Sequence, residues 1–182
     1  PALLPFGTIL LTPFFGNLYD RRGKGATIML VGSFMIVAVH LLFAVPAFTN
    51  WLLALVLIIT LGIAFSLVPS AMWPSVPKII PENKLGTAYA LIFWIQNWGL
   101  MGVPYLIGKV LDNYCVVDNA TTVAEEITGV VAPETVTRVA YDYTVPMLIF
   151  AGLGVLSILF SFLLLRENKK MGYGLQQHNI RK

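Results

Sequence analysis

Charged residues and cysteines are both scarce in this chain, and each scarcity argues against a class of protein. Only 12% of the 182 residues are charged, whereas soluble domains carry about 25%. Hydrophobic residues make up 57% of the chain, and its mean hydropathy is +0.78. The single cysteine, Cys115, excludes an internal disulfide framework and falls short of a metal site. These values indicate a lipid-embedded protein, for which we expect no cofactor.

Charged side chains are also missing from the interior of five long apolar stretches. A membrane-spanning helix needs about 20 mostly apolar residues, and five segments reach or nearly reach that length. The predicted spans are residues 1–18, 26–45, 51–77, 87–110 and 144–165. Of all Asp, Glu, Lys and Arg residues, only Lys109 falls within them, at an edge. The pattern predicts an all-α membrane protein with five transmembrane helices.

The charges between these stretches predict their orientation, because basic residues collect on the cytoplasmic side of a membrane. The basic residues follow the first, third and fifth spans: Arg21, Arg22, Lys24, Lys78, Lys84, Arg166, Lys169 and Lys170. The connection of residues 111–143 is acidic and is therefore expected outside. We expect residues 1–170 to form a partial transmembrane bundle and residues 171–182 a mobile cytoplasmic tail. The net charge of +3 is too small to indicate a nucleic-acid partner.

The chain begins at Pro1, and no charged leader precedes a short apolar core. We therefore expect no signal peptide and interpret the chain as a piece of a longer protein. In the outer loop, Asn119-Ala120-Thr121 matches a glycosylation acceptor, which we expect to be unmodified because such triplets often arise by chance.

A short basic turn joins the first two spans. It reads Gly16-Asn17-Leu18-Tyr19-Asp20-Arg21-Arg22-Gly23-Lys24-Gly25. Asp20 can accept hydrogen bonds at a neighbouring helix N-terminus, and Arg21 can hold that carboxylate in place. Gly16 and Gly23 permit close helix approach and a sharp reversal. The simpler alternative is an ordinary positive-inside loop with an incidental aspartate.

This turn resembles the cytoplasmic connection between helices in major facilitator transporters, although Gly25 stands where that pattern has its final basic residue. In that family the loop braces the closed cytoplasmic side during alternating access. The resemblance implies a conformational gating role for Asp20 and Arg21, together with Gly16 and Gly23.

Three prolines, Pro69, Pro74 and Pro77, interrupt the inner part of the third span. A proline inside a helix removes a hydrogen bond and bends the axis, and in lipid the freed carbonyls need other partners. Ser66 and Ser70 could supply those partners. A gating bend and a plain exit from the membrane explain the prolines equally well.

The fourth span carries a stripe of aromatic and amide side chains at helical spacing. The stripe contains Tyr89, Phe93 and Gln96, with Asn97 beside it. Amides are costly in a bilayer and normally face protein or water, so they could grip a polar solute or a peptide bond. The alternative is hydrogen bonding between packed helices. The glycines of this span, Gly99, Gly102 and Gly108, are expected to mark close packing.

His40 is the histidine that falls inside a predicted span. A proton-carrying role is conceivable for a group with its pKa near neutrality. A structural, hydrogen-bonded histidine is the stronger interpretation, because none of the five spans contains a carboxylate to relay protons.

A longer stretch narrows the resemblance. Residues 71–89 contain the motifs Trp-Pro, Val-Pro, Ile-Pro-Glu and Leu-Gly-Thr-Ala-Tyr, and Ile95-Gln96-Asn97 follows. These motifs resemble the major facilitator domain-containing protein one branch, whose members are associated with dipeptide transport. The resemblance implies helices 8–12 of a twelve-helix fold, with the first, third and fourth spans around the cavity. It makes Trp73, Tyr89, Phe93, Gln96 and Asn97 candidate substrate-binding residues.

The expected function is therefore secondary-active or facilitative transport of a small solute by alternating access. The expected solutes are dipeptides or related small peptides. The alternatives are a carrier for another organic solute, such as an organic anion or a sugar, and a non-transporting membrane scaffold. We do not expect an enzyme, because the residue sets of intramembrane proteases and phosphatases are missing. The expected partners are the solute, the bilayer and the absent N-terminal half, and we allow for an accessory membrane protein. The expected location is the bacterial inner or plasma membrane, or the lysosomal membrane of an animal.

Overall fold

Five long α-helices make up most of the part of the chain that the structure describes. This computed structural model describes residues 3–45, 50–117 and 140–178, with side chains from residue 8 onward. The helices are α1 (Leu3–Arg22), α2 (Gly25–Phe43), α3 (Trp51–Ile79), α4 (Leu85–Tyr114) and α5 (Thr144–Met171). A single 3-10 turn, Glu82–Lys84, precedes α4. The all-α fold predicted from the sequence is confirmed.

The apolar stretches correspond to the helices one by one. Among the described residues, four helices are by length and composition able to cross a membrane, namely α2, α3, α4 together with the 3-10 turn before it, and α5. The charged last turn of α1, with Asp20, Arg21 and Arg22, shortens the apolar part of that helix. The helices α1, α3 and α5 run beyond the ends of their predicted spans, and α4 extends beyond its predicted span at both ends.

Two short strands close the end of the molecule where α4 leads to α5. Strands β1 (Val116–Val117) and β2 (Ala140–Tyr141) pair antiparallel, with Val116 opposite Tyr141. The side-chain oxygen of Asp142 accepts hydrogen bonds from the backbone N–H and the hydroxyl of Thr144 at the start of α5. These bonds lower the pKa of Asp142 below its ordinary value. Most of the acidic loop, including Asn119, lies outside the described residues.

Four of the helices pack side by side. Helix α2 lies between α3 and α5, and α3 also packs along α1. Two glycines bring the backbones of α2 and its neighbours together. A Cβ atom at Gly32 would lie 2.8 Å from Cγ2 of Val68 on α3, and one at Gly154 would lie 2.7 Å from Cγ2 of Val37 on α2. Small residues at such contacts are how helices approach closely in lipid.

A side-chain hydrogen bond joins α2 and α5. The hydroxyls of Ser33 and Ser157 are 2.7 Å apart, and Ser33 also donates to the backbone oxygen of Met29 in its own helix. Because Ser33 is fully buried, this pairing satisfies a polar group that lipid could not satisfy. The α2–α5 contact therefore combines close packing with an internal hydrogen bond.

Helix α4 stands apart from this row and has no buried residue. The close packing expected at Gly99, Gly102 and Gly108 is wrong for the described part of the chain, because a Cβ at any of them would meet no atom within 4 Å. The faces of α4 that carry these glycines have no neighbour here. Glycine content therefore did not distinguish α4 from α2 and α5, where Gly32 and Gly154 do lie at contacts.

The basic ends of the helices lie together. Nζ of Lys78, at the end of α3, donates to the backbone oxygen of Gln177, 3.1 Å away, beyond the end of α5. The backbone N–H of Lys24, between α1 and α2, donates to the backbone oxygen of Gln176. At the other end of the bundle, the rings of His40 and Phe150 are 5.4 Å apart. We call the basic end the inner end, following the orientation predicted from the charges.

Candidate functional site: an aromatic stack and the inner turn

Three aromatic side chains meet where α4 contacts α3. The rings of Trp73 and Phe93 stack with their centroids 5.0 Å apart, and the Tyr89 ring lies 5.8 Å from that of Trp73. Offset and tilted contacts at these distances are the favoured arrangements of aromatic rings. The structure thus brings together three of the five residues predicted to line a solute site.

The stack also supplies a hydrogen bond that Pro77 removes from α3. Pro77 has no N–H, so the backbone oxygen of Trp73, four residues earlier, loses its helical partner. The hydroxyl of Tyr89 donates to that oxygen at 3.3 Å. A side chain from the neighbouring helix therefore satisfies the carbonyl, as a bilayer requires.

The serines of α3 do not play the part expected of them. Ser66 donates to Gly62 and Ser70 to Leu67, and neither of those oxygens is one that a proline frees. Helix α3 continues through Pro69, Pro74 and Pro77 to Ile79 without interruption. A gating bend and an exit from the membrane both remain predictions for these residues, because a helix can leave a bilayer without ending.

Gln96 and Asn97 follow the stack along α4, and both are exposed. Asn97 donates from Nδ2 to the backbone oxygen of Phe93, 2.8 Å away in its own helix. At 3.6 residues per turn, Gln96 lies on the same side of α4 as Tyr89 and Phe93. The interpretation of these amides as links between packed helices finds no support in the described contacts.

The opposite side of α4 carries two tryptophans. Trp94 and Trp98 contact each other edge to face, with centroids 6.1 Å apart, and both are more than half exposed. They lie roughly 140–180° around the helix from Tyr89, since successive residues turn by about 100°. Helix α4 therefore presents an amide-bearing aromatic stripe on one side and an apolar aromatic surface on the other.

The second set of predicted residues lies at the turn between α1 and α2. Gly23 and Lys24 both have left-handed backbone conformations, with φ of 66° and 59°. A Cβ at Gly23 would lie 2.6 Å from the backbone oxygen of Gln176, so the glycine is required both for the turn and for a close contact. Asp20 is half-buried, and Arg21 is exposed.

Gly16 behaves differently from Gly23. It lies within α1, and a Cβ there would meet no atom within 4 Å. The close helix approach expected at Gly16 is therefore wrong for the described part of the chain, because the face of α1 that carries it has no neighbour here.

The sequence did not predict the residues that hold this turn. Tyr19 and Leu175 are completely buried, and Asn168 accepts the N–H of Leu175 through Oδ1 at 3.0 Å. The expectation of a mobile tail is wrong for residues 172–177, which pack on the turn. A signal was present in Gly172 and Gly174, because glycine after a helix end permits the reversal that folds a chain back.

His40 has a structural environment. Its Nδ1 lies 2.8 Å from the backbone oxygen of Ile36, one turn earlier, and its ring contacts Phe150. Among the described residues, no group of three or more His, Cys, Asp or Glu side chains is placed to hold a metal ion. The hydrogen-bonded, structural interpretation of His40 agrees with these contacts.

Comparison with known families decides the class of the protein. The sequence profile of the Major Facilitator Superfamily matches residues 1–104. The chain belongs to the Major Facilitator Superfamily. It is accordingly a multi-pass integral membrane protein of a transporter family, and its helices have the all-α membrane fold of that superfamily.

Individual relatives of this Major Facilitator Superfamily chain include characterised transporters. The lysosomal dipeptide transporter MFSD1 of Bos taurus is 34% identical over 102 residues, which are 56% of this chain and 21% of the relative. That of Gallus gallus is 35% identical over 102 residues, 56% of this chain and 22% of the relative. The inner membrane transport protein YdiN of Escherichia coli (strain K12) is 29% identical over 107 residues, 59% of this chain and 24% of the relative.

The chain thus spans about a fifth to a quarter of the length of these curated relatives. No solved structure matches it significantly. The resemblance to the dipeptide-carrier branch noted in the sequence is confirmed at the level of similarity, over about half of the chain.

Proposed function

We propose that this chain forms part of the transmembrane bundle of a carrier that moves dipeptides or similar small peptides by alternating access. The observation that carries the proposal is the similarity to lysosomal dipeptide transporters over 102 residues. The superfamily match over residues 1–104 includes the stack and the amide stripe. In an animal cell the corresponding location is the lysosomal membrane. The missing partner is the N-terminal half of the same carrier.

In this proposal the α4 stripe contacts the solute. Trp73, Tyr89 and Phe93 offer ring faces to apolar side chains, and Gln96 and Asn97 offer donors and acceptors to a peptide bond. The five predicted spans contain no Asp or Glu and only Lys109 as a cation, at an edge. The charged termini of a peptide are therefore proposed to find their partners in the other half of the carrier.

The solute class is tested by a thermal-shift screen of the intact carrier against dipeptides, sugars and organic anions. Dipeptides are expected to raise the melting temperature, because a ligand that binds only the folded state stabilises it. The second candidate is a carrier for another small organic solute, and a shift with sugars or organic anions alone would favour it. A response to no solute, together with no uptake, would favour the scaffold.

Gln96→Ala is expected to lower dipeptide uptake by about fivefold or more while leaving protein abundance almost unchanged. The amide is exposed on α4, so its removal leaves no cavity, and a lost hydrogen bond to a solute costs about 1 kcal/mol or more. The matched control is Asn113→Ala, which removes an amide from the outer end of α4. Equal losses of uptake and abundance would show that Gln96 acts in packing instead.

The inner turn is proposed as the gating element, with Asp20 and Arg21 bracing it and with Gly16 and Gly23 as further members. Asp20→Asn is expected to shift the balance between inward-open and outward-open states while leaving solute binding intact. The substitution keeps the size of the side chain, removes its charge and replaces one acceptor oxygen with an NH2 group, so the Coulombic interaction of the carboxylate and one of its acceptor sites are lost. Reactivity of single cysteines at the inner end measures the balance, and an unchanged pattern would contradict a gating role.

A further inference from the structure

The segment after α5 supplies the hydrogen bonds that α2 lacks at its beginning. The first N–H groups of a helix have no partner within that helix, and Lys24 provides no side-chain cap for α2. The backbone oxygen of Leu175 accepts the N–H of Gly25 at 2.9 Å, and that of Gln176 accepts the N–H of Lys24 at 3.1 Å. Residues about 150 positions away in sequence therefore cap this helix.

Side chains hold the segment in place on three helices. Leu175 is completely buried, and its own N–H donates to Oδ1 of Asn168 on α5. Gln176 exchanges hydrogen bonds of 3.0–3.2 Å with the hydroxyl of Thr27 on α2. Nζ of Lys78 on α3 donates to Gln177 at 3.1 Å. The docked segment therefore ties the inner ends of α2, α3 and α5 to one another.

One buried polar group beside the docked segment has no hydrogen-bond partner. Tyr19 is completely buried next to Gly25, where it packs against Met29 and Ala71, and Nζ of Lys78 lies 5.1 Å from the centre of its ring. Within the described ranges, the Tyr19 hydroxyl is the one fully buried side-chain polar atom without a hydrogen-bond partner. Leaving such a group unpaired is costly, so a state in which water reaches this hydroxyl would gain free energy relative to the observed one.

We propose that the segment Gly172–Gln177 is a reversible latch that docks on the inner turn and controls how freely that turn moves. Docked, it caps α2 and holds the left-handed turn at Gly23 and Lys24. Released, it frees the ends of α1 and α2 and lets water reach the Tyr19 hydroxyl, whose missing hydrogen bond thereby biases the latch toward release. Its role in regulating alternating access rests on the proposed function, whereas the docking equilibrium itself does not.

Hydrogen exchange of the Lys24 and Gly25 amides in the intact carrier measures docking without any solute. Leu175→Ala should speed their exchange by about tenfold or more, because it removes a fully buried side chain from the contact. Met171→Ala, which truncates a side chain that is 56% exposed, is the control and should change little. Tyr19→Phe should slow exchange by about fivefold or more, since it removes only the unpaired hydroxyl.

Opposite responses to Leu175→Ala and Tyr19→Phe support the latch. Unchanged exchange in Leu175→Ala would overturn docking, and faster exchange in Tyr19→Phe would overturn the proposed bias toward release. A cysteine introduced by Arg21→Cys reports on the mobility of the turn. Its alkylation should be faster when Leu175→Ala is also present than when it is absent. An unchanged rate would overturn the proposal that the latch controls the turn. A failure of uptake with every solute would count against the proposed function, while the exchange and alkylation results would still decide the latch.

Discussion

Gly154→Val should sharply lower the amount of folded carrier in the membrane. The new side chain would enter the contact between α2 and α5, where even a Cβ would lie 2.7 Å from Cγ2 of Val37. Overpacking of a close contact costs about 1–3 kcal/mol, and valine cannot rotate away easily because it branches at Cβ. The hydrogen bond between Ser33 and Ser157 at the same contact should be strained as well.

Gly152→Val is the matched control for this substitution. It makes the same chemical change on the same helix, two residues away, where a Cβ would meet no atom within 4 Å. Its abundance and its melting temperature in detergent should stay close to those of the unsubstituted carrier. Equal loss in both variants would mean that the α2–α5 contact is not the reason for the loss, since valine is a better helix former than glycine at either position.

Trp73→Ala should reduce dipeptide uptake by about tenfold or more. The substitution removes the ring that contacts both Tyr89 and Phe93, and each aromatic pair is worth about 0.5–1.5 kcal/mol beyond its buried area. Uptake into proteoliposomes, normalised to reconstituted protein, measures the effect. The backbone oxygen of Trp73 remains in the variant, so Tyr89 can still satisfy it.

Trp94→Ala is the matched control for Trp73→Ala. It removes a ring of the same size from the opposite side of α4, where Trp94 contacts Trp98. Its uptake should fall much less than that of Trp73→Ala. Equal losses would contradict a solute pathway on the stripe side, and full activity of Trp73→Ala would remove the stack from the transport mechanism.

The sequence predicted those features that depend on local pattern. Apolar runs about 20 residues long identified all five helices, because lipid demands both the length and the absence of charge. The spacing of Tyr89, Phe93 and Gln96 placed them on one side of α4, because helical periodicity determines that side. The stack with Trp73 followed from the resemblance, which placed the third and fourth spans on the same cavity.

The features that the sequence did not predict depend on contacts between distant segments. The latch is made largely of backbone carbonyls, whose hydrogen bonds carry no side-chain signature. The glycines illustrate the same limit: Gly154 lies at a contact and Gly99 does not, although both occur in apolar helices. The donor to the carbonyl freed by Pro77 was expected from serines of α3, but the neighbouring helix supplied it through Tyr89.

Substrate protection of a cysteine at position 96 decides whether the α4 stripe lines the solute pathway. Gln96→Cys and Trp94→Cys are introduced singly into a cysteine-free carrier and treated with a water-soluble maleimide. The dipeptide that gives the largest thermal shift should slow alkylation of Gln96→Cys and leave Trp94→Cys unaffected. Alkylation of Gln96→Cys at the same rate with and without saturating dipeptide would contradict the proposed pathway.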